Sequence, residues 1–171
     1  MKKTFILSVS TLAIIFFSCK KSNTENSTGG NGGNTSILKT IYSAGYSRNG
    51  SNNPIATYWK NDTAFKLTDG TKQGIAKAIV VAGNDVYVAG YDAGVAKYWK
   101  KGVATNLSDG SIDVVANGNA VEGADVYVVG SEVYNALGRQ VAKYWKNGVA
   151  TLLTKAGNGE TGTVYSICMG N

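Results

Sequence analysis

The 171-residue chain has no histidine, one proline and two cysteines, and only 16% of its residues are charged. The lack of histidine removes the commonest metal ligand and the commonest general base together. No Ser-His-Asp, Cys-His or histidine-spaced zinc arrangement can be assembled from it, and no cofactor is implied. A basic run is missing too. With Lys2 and Lys3 set aside, 15 basic residues (17 − 2) face 11 acidic ones, a charge near +4. Lys60, Lys97, Lys100, Lys143 and Lys146 are spread along the chain, the pattern of a solvated surface and not of a nucleic-acid footprint. The longest apolar stretch, Phe5 to Phe17, is interrupted by Ser8, Ser10 and Thr11 and is too short for a comfortable bilayer span. What the chain does have is 22 glycines, ten tyrosines and many valines, the balance of short strands joined by tight turns.

The first residues read as a processing signal. Lys2 and Lys3 form a positive n-region, the Phe5–Phe17 stretch an h-region, and Phe16-Phe17-Ser18-Cys19 follows at its end. A small residue directly before a cysteine here resembles the lipobox of bacterial lipoproteins. Phe16 stands where Leu is commonest in that motif. The resemblance implies cleavage of residues 1–18 and acylation of Cys19, so that the mature chain is tethered to a membrane and does not span it. Each buried methylene of such an anchor contributes about 0.8 kcal/mol. With Cys19 acylated, Cys168 has no disulfide partner and is expected to pack as a small core hydrophobe. By the same resemblance, Lys20 after the cysteine does not look like an inner-membrane retention signal, which implies the outer membrane, on either face. Residues 20–36 (KKSNTENSTGGNGGNTS) carry no aromatic or aliphatic side chain and form a Gly/Ser-rich linker spanning roughly 20–25 Å.

Beyond the linker, Ala-x-Tyr-Trp-Lys returns three times, centred on Trp59, Trp99 and Trp145 at spacings of 40 (99 − 59) and 46 (145 − 99). A period of this length marks a supersecondary unit that stacks on copies of itself. In register, each unit holds four antiparallel strands, A to D. The second copy has A at Ile75–Ala82, B at Asp85–Tyr91, C at Val95–Lys100 and D at Val103–Leu107, with Gly83-Asn84 and Lys101-Gly102 as turns. The third has A at Ala116–Glu122, B at Asp125–Ser131, C at Val141–Lys146 and D at Val149–Leu153. The first starts at B, with Ile37–Tyr46, Ile55–Lys60 and Phe65–Leu67. Thr163 to Met169, followed by Gly170-Asn171, matches a further A strand with its turn residues.

This all-β succession over residues 37–171 resembles the blades of a β-propeller on strand count and period. The Gly-His…Trp-Asp pattern of the WD40 type and the paired-glycine kelch motif are both absent. The phrases Tyr-Trp-Lys-Asn-Gly and Asp-Val-Tyr-Val-Ala-Gly look like those of uncharacterised bacterial repeat lipoproteins, a likeness that implies no activity. The inventory of 3 + 4 + 4 + 1 = 12 strands gives an arc of about three blades, whereas closed propellers have four to eight. Two outcomes stand open: two chains forming a six-bladed homodimer, each giving its last A strand to the other's first blade, or a shortened relative of a longer propeller with bare apolar flanks.

The tryptophans are expected in the core, since a Tyr-Trp pair at one strand position in every copy is packing before it is a ligand platform. Asp69 and Asp109, in Leu-(Thr/Ser)-Asp-Gly, read as turn residues, because the third copy has Leu153-Thr154-Lys155-Ala156-Gly157 instead. A carboxylate pair such as Asp113 and Glu122 could in principle serve glycan hydrolysis, but acids are few near the expected blade tops and a non-catalytic role is expected. Function is expected where the copies depart from one another, in the B-to-C loops Ser47–Pro54, Asp92–Gly94 and Glu132–Gln140. Arg48, Asn49, Asn52, Asn53, Tyr134, Asn135 and Arg139 are the candidate contacts for a protein or glycan partner.

Overall fold

A computed structural model describes residues 39–48, 50–110, 113–133, 138–154 and 159–170. Cys19, the signal and the linker lie outside the described residues, as do Asn49, Tyr134 and Asn135. Among the described residues no helix is long and apolar enough to cross a membrane.

The chain is all-β and folds into three separate antiparallel sheets. The first contains β1 (Tyr42–Arg48), β2 (Pro54–Lys60) and β3 (Thr63–Lys66) in the order β1-β2-β3. In the second, β4 (Gly74–Ala82), β5 (Asp85–Asp92), β6 (Val95–Lys100) and β7 (Val103–Asn106) lie side by side in chain order. The third repeats this with β8 (Val114–Glu122), β9 (Asp125–Val133), β10 (Gln140–Lys146) and β11 (Val149–Leu152). These eleven strands match the expected B-C-D, A-B-C-D, A-B-C-D succession to within a few residues at their ends; the first begins later than expected, at Tyr42. The B-to-C connection of the second copy is a two-residue turn, Ala93-Gly94, with positive φ at both residues (55° and 79°), the conformation that matches the twist of the flanking strands.

One expected strand is not there. Thr163–Met169 has no ladder partner and is not a strand, and Cys168, expected in the core, is exposed. The reason is physical: a strand exists by pairing, and no B strand follows this segment among the described residues.

Each repeat is locked by the same contacts. The C-strand alanine accepts a bond from the amide of the leucine that follows strand D: Leu67 to Ala56 at 2.7 Å, Leu107 to Ala96 at 2.8 Å, Leu153 to Ala142 at 2.8 Å. The amide of that alanine then donates to the next hydroxyl, Thr68 Oγ1 at 3.1 Å, Ser108 Oγ at 3.1 Å and Thr154 Oγ1 at 3.0 Å. Strand A carries a bulge against strand B in both complete sheets, between Ala76 and Ala78 and between Ala116 and Gly118. The bulge drives the A backbone onto Gly90 and Gly130, where a Cβ would overlap the carbonyl oxygens of Ile75 and Val115.

The core lies between sheets, and the two interfaces repeat each other. Between the first and second sheets, Ala56, Tyr58 and Leu67 meet Ala76, Val88 and Trp99. The equivalent residues Ala96, Tyr98 and Leu107 meet Ala116, Val128 and Trp145 between the second and third. Trp99 and Trp145 are each 1% exposed, so both are packing residues as expected. Trp59, whose sheet has no neighbour on that side among the described residues, is half-buried.

Candidate functional site

Strand directions sort the connections into two groups. The A-to-B and C-to-D turns share one end of each sheet; the B-to-C loops and D-to-A connections share the other. At the first end, lysine and aspartate pair across the hairpins: Lys101 Nζ lies 2.8 Å from Asp85 Oδ1, and Lys146 Nζ lies 2.7 Å from Asp125 Oδ2. The Lys101 hydrogen bond holds the Asp85 carboxyl below its ordinary value. Lys146, and then Asn147, do the same for Asp125. Lys146 is raised in turn by Asp125 and by Tyr127. The lysines are exposed, the aspartates are half-buried and all their partners are intramolecular, so this end works as turn reinforcement.

The other end carries the candidate contacts, held by backbone bonds between loop and connection: Ala93 to Gln73 and Val133 to Asp113, both 2.9 Å. Arg48 folds back on its own loop, with Nη1 donating to Asn52 O at 2.5 Å and to Asn52 Oδ1 at 3.3 Å, and its guanidinium 5.2 Å from the centroid of Tyr46. Asn52 takes φ 62°, a left-handed conformation that asparagine accepts readily. Asn53 Nδ2 donates to Gly70 O at 3.1 Å and to Thr71 O at 3.4 Å, fastening the loop to the connection after β3. Asp69 closes a turn there, accepting from Thr71 N and Thr71 Oγ1 at 2.8 Å each. Those bonds, the backbone one first, lower its pKa. It is therefore the turn residue its sequence context predicts.

Arg139 has a different setting. It is exposed and lines an open, polar cleft of about 490 Å³ together with Gly138, Gln140, Gly159, Thr161 and Thr163. Thr163 Oγ1 is hydrogen-bonded to Gln140 Oε1 on its wall. Of the residues lining this cleft, only Arg139 is among the candidate contacts. The signal for the remainder is the long third D-to-A connection, which breaks the Leu-(Thr/Ser)-Asp-Gly pattern and supplies Gly159 and Gly162. Arg48, Asn52 and Asn53 are brought together with one another, and none of them lines this cleft.

The carboxylate pair is not brought together. Asp113 precedes β8 and Glu122 ends it, which places them about 30 Å apart at strand rise. Glycosidase carboxylates sit roughly 5–9.5 Å apart. Glu132 and Lys143 instead form an ion pair with each other beside the interface of the second and third sheets. Among the described residues no group of three metal-ligating side chains converges. No protein-family model matches this chain, and no curated protein matches it.

Proposed function

We propose that this chain is a lipid-anchored, non-catalytic, β-propeller-like module that binds a protein or glycan partner at the bacterial envelope. Cys19 carries the anchor at the outer membrane, residues 20–36 act as the tether, and residues 37–171 form the repeat domain. The observation that carries the reading is the division of labour between the two sheet ends. One is closed by short turns and ion pairs, while the other gathers all variation in loop length and holds an open polar cleft beside Arg139. A rigid scaffold presenting variable polar loops at one end is a recognition design. Separation of the Asp113 and Glu122 carboxylates supports a binding role over glycan hydrolysis.

The tether is tested by feeding an alkyne-tagged fatty acid to cells expressing the full chain. Label and membrane retention are expected, with both lost in Cys19→Ser; an unlabelled protein in the soluble fraction would count against the anchor. Recognition is tested with an array of envelope glycans. Arg139→Ala is expected to weaken the strongest signal about tenfold, the effect of losing one charged hydrogen bond, and an array without any signal would count against a glycan partner. A second reading, a shortened relative with no activity of its own, draws support from the unpaired 163–169 segment; it predicts a loosely packed monomer.

A further inference from the structure

Among the described residues the first sheet has no A strand, and its B strand retains the residue that an A strand demands. Gly45 of β1 is the counterpart of Gly90 and Gly130, by its place two residues after Ser43 in the aligned B strands. At those two glycines a bulged A strand crosses so closely that a Cβ would overlap a carbonyl oxygen. At Gly45 an added Cβ would meet nothing but the ring of Trp59, at 3.3 and 3.7 Å. The outer edge of β1 pairs with no strand among the described residues. Glycine tolerates close backbone approach, and among the described residues no backbone makes that approach at Gly45.

At the other end of the repeat array lies a segment with the sequence of an A strand and no ladder partner among the described residues. The segment from Gly162 to Gly170 runs beside β8 in the way β8 runs beside β4. Lys77 Nζ donates to Asn117 Oδ1 at 3.3 Å, and Asn117 Nδ2 passes the contact on to Val164 O at 3.0 Å. A Cβ on Gly118 would touch Tyr165 O and Ser166 Cα. Gly162 lies against Thr154 and Ala142, just as Gly74 lies against Thr68 and Ala56. The segment thus occupies the A position of a fourth sheet, and Tyr165 on it is 74% exposed.

The flanking faces agree. Each internal interface joins a leucine face to a tryptophan face. Leu67 is partly buried, Leu107 9% exposed and Leu153, on the third sheet, 53% exposed. Trp59 on the first sheet is the tryptophan face without a leucine face against it. One chain therefore carries both halves of the interface that it already uses twice, which continues it from molecule to molecule.

We infer that two copies of this chain exchange strands: the Gly162–Gly170 segment of each pairs antiparallel with β1 of the other and completes its first sheet. This deepens the propeller-like reading, on which it rests, by naming a second copy as the partner; two sets of three sheets then close on each other. The register follows from the repeats. Ile41 exchanges hydrogen bonds with Asn61, N to Oδ1 at 3.0 Å and O to N at 2.8 Å, as Val126 does with Asn147 at 2.9 Å each way. Val86 and Val126 face Val81 and Val121 across their hairpins. Val81 lies seven residues after Gly74, and Val121 seven after Val114, so counting on from Gly162, the counterpart of Gly74, the residue facing Ile41 is Met169. Because the Ile41 backbone groups bond toward the β2 side, this is a non-hydrogen-bonded pair, with Cα atoms about 4.5 Å apart, within disulfide reach.

The experiment uses the full chain with Cys19→Ser, Cys168→Ser, Ile41→Cys and Met169→Cys, so that positions 41 and 169 carry the only thiols. Ile41 is 69% exposed and Met169 37%, so neither replacement removes a buried contact. Isotope-labelled and unlabelled chains are mixed, oxidised with diamide and mapped by peptide mass spectrometry. The expected product is a two-chain species in which the thiol introduced at position 41 of one copy is bonded to the thiol introduced at position 169 of the other. Chains that remain single, whether unlinked or linked within themselves, overturn the exchange; so does a ladder of higher multiples, which an open array would give. Adding Gly45→Ala is expected to cut the linked yield at least about tenfold, the loss of a blocked contact, with circular dichroism unchanged; an unchanged yield overturns it too. The anchor plays no part in these chains, so a missing fatty-acid label bears on the tether alone and a missing cross-link on the exchange alone.

Discussion

Glycine in a strand interior usually weakens it, yet Gly90 and Gly130 are positions where any other residue would do worse. A methyl group at either site would overlap a carbonyl of the bulged neighbour. Gly90→Ala or Gly130→Ala should cost roughly 2–4 kcal/mol, in the range of overpacking and strain. Gly45→Ala, which meets only the edge of Trp59, should cost less than about 1 kcal/mol within a single chain. Urea midpoints of the three variants test the contrast. Charged residues give a second prediction at this scale. Asp85 and Asp125 have depressed pKa values in the folded chain, so their contribution is present above the unfolded carboxyl value of about 3.9 and is lost as pH falls through the folded value. Lys100, raised first by Tyr87 and then by Asp85, and Lys146 contribute fully below the ordinary lysine value of about 10.4 and lose this as pH rises through their folded values. The urea midpoint should therefore be flat from about pH 5 to 9 and decline below about pH 4. A midpoint that rises on acidification would contradict the pairing.

Each element is fixed less by its own propensity than by one hydroxyl. Thr68, Ser108 and Thr154 accept the amide of the C-strand alanine after strand D has ended. Removing the hydroxyl leaves a buried donor without a partner, since Ala96 is fully buried. Ser108→Ala should lower stability by about 1–3 kcal/mol, while Ser108→Thr, the residue found in the other two copies, should retain it; thermal denaturation compares the two. Much of this level is legible in sequence. The Tyr-Trp-Lys spacing, Gly83-Asn84 and Asn147-Gly148 place the eleven strands and their turns, because local turn chemistry and the repeat agree. Thr163–Met169 fails for the opposite reason. Its residues are those of an A strand, but a ladder needs a partner that sequence pattern does not report. The candidate contacts divide similarly: a polar loop residue such as Arg48 or Asn53 reads alike whether it faces a ligand or bonds its own loop, and only the fold distinguishes them.

For the whole molecule, the governing fact is that the sheets bury their flanks on one another and that one chain supplies unequal ends. A leucine face at the third sheet and a tryptophan face at the first are the two halves of an interface formed twice inside the chain. An A-like segment beside β8 and an open edge at β1 are the two halves of a sheet. Envelope tethering through Cys19 would confine the copies to a surface and raise their local concentration, which favours such pairing. The most direct test of this account is the mass of the full chain carrying Cys19→Ser, measured by sedimentation equilibrium at micromolar concentration. The account predicts a single species of twice the chain mass. A well-packed species of one chain mass, with native-like near-UV circular dichroism, would contradict it.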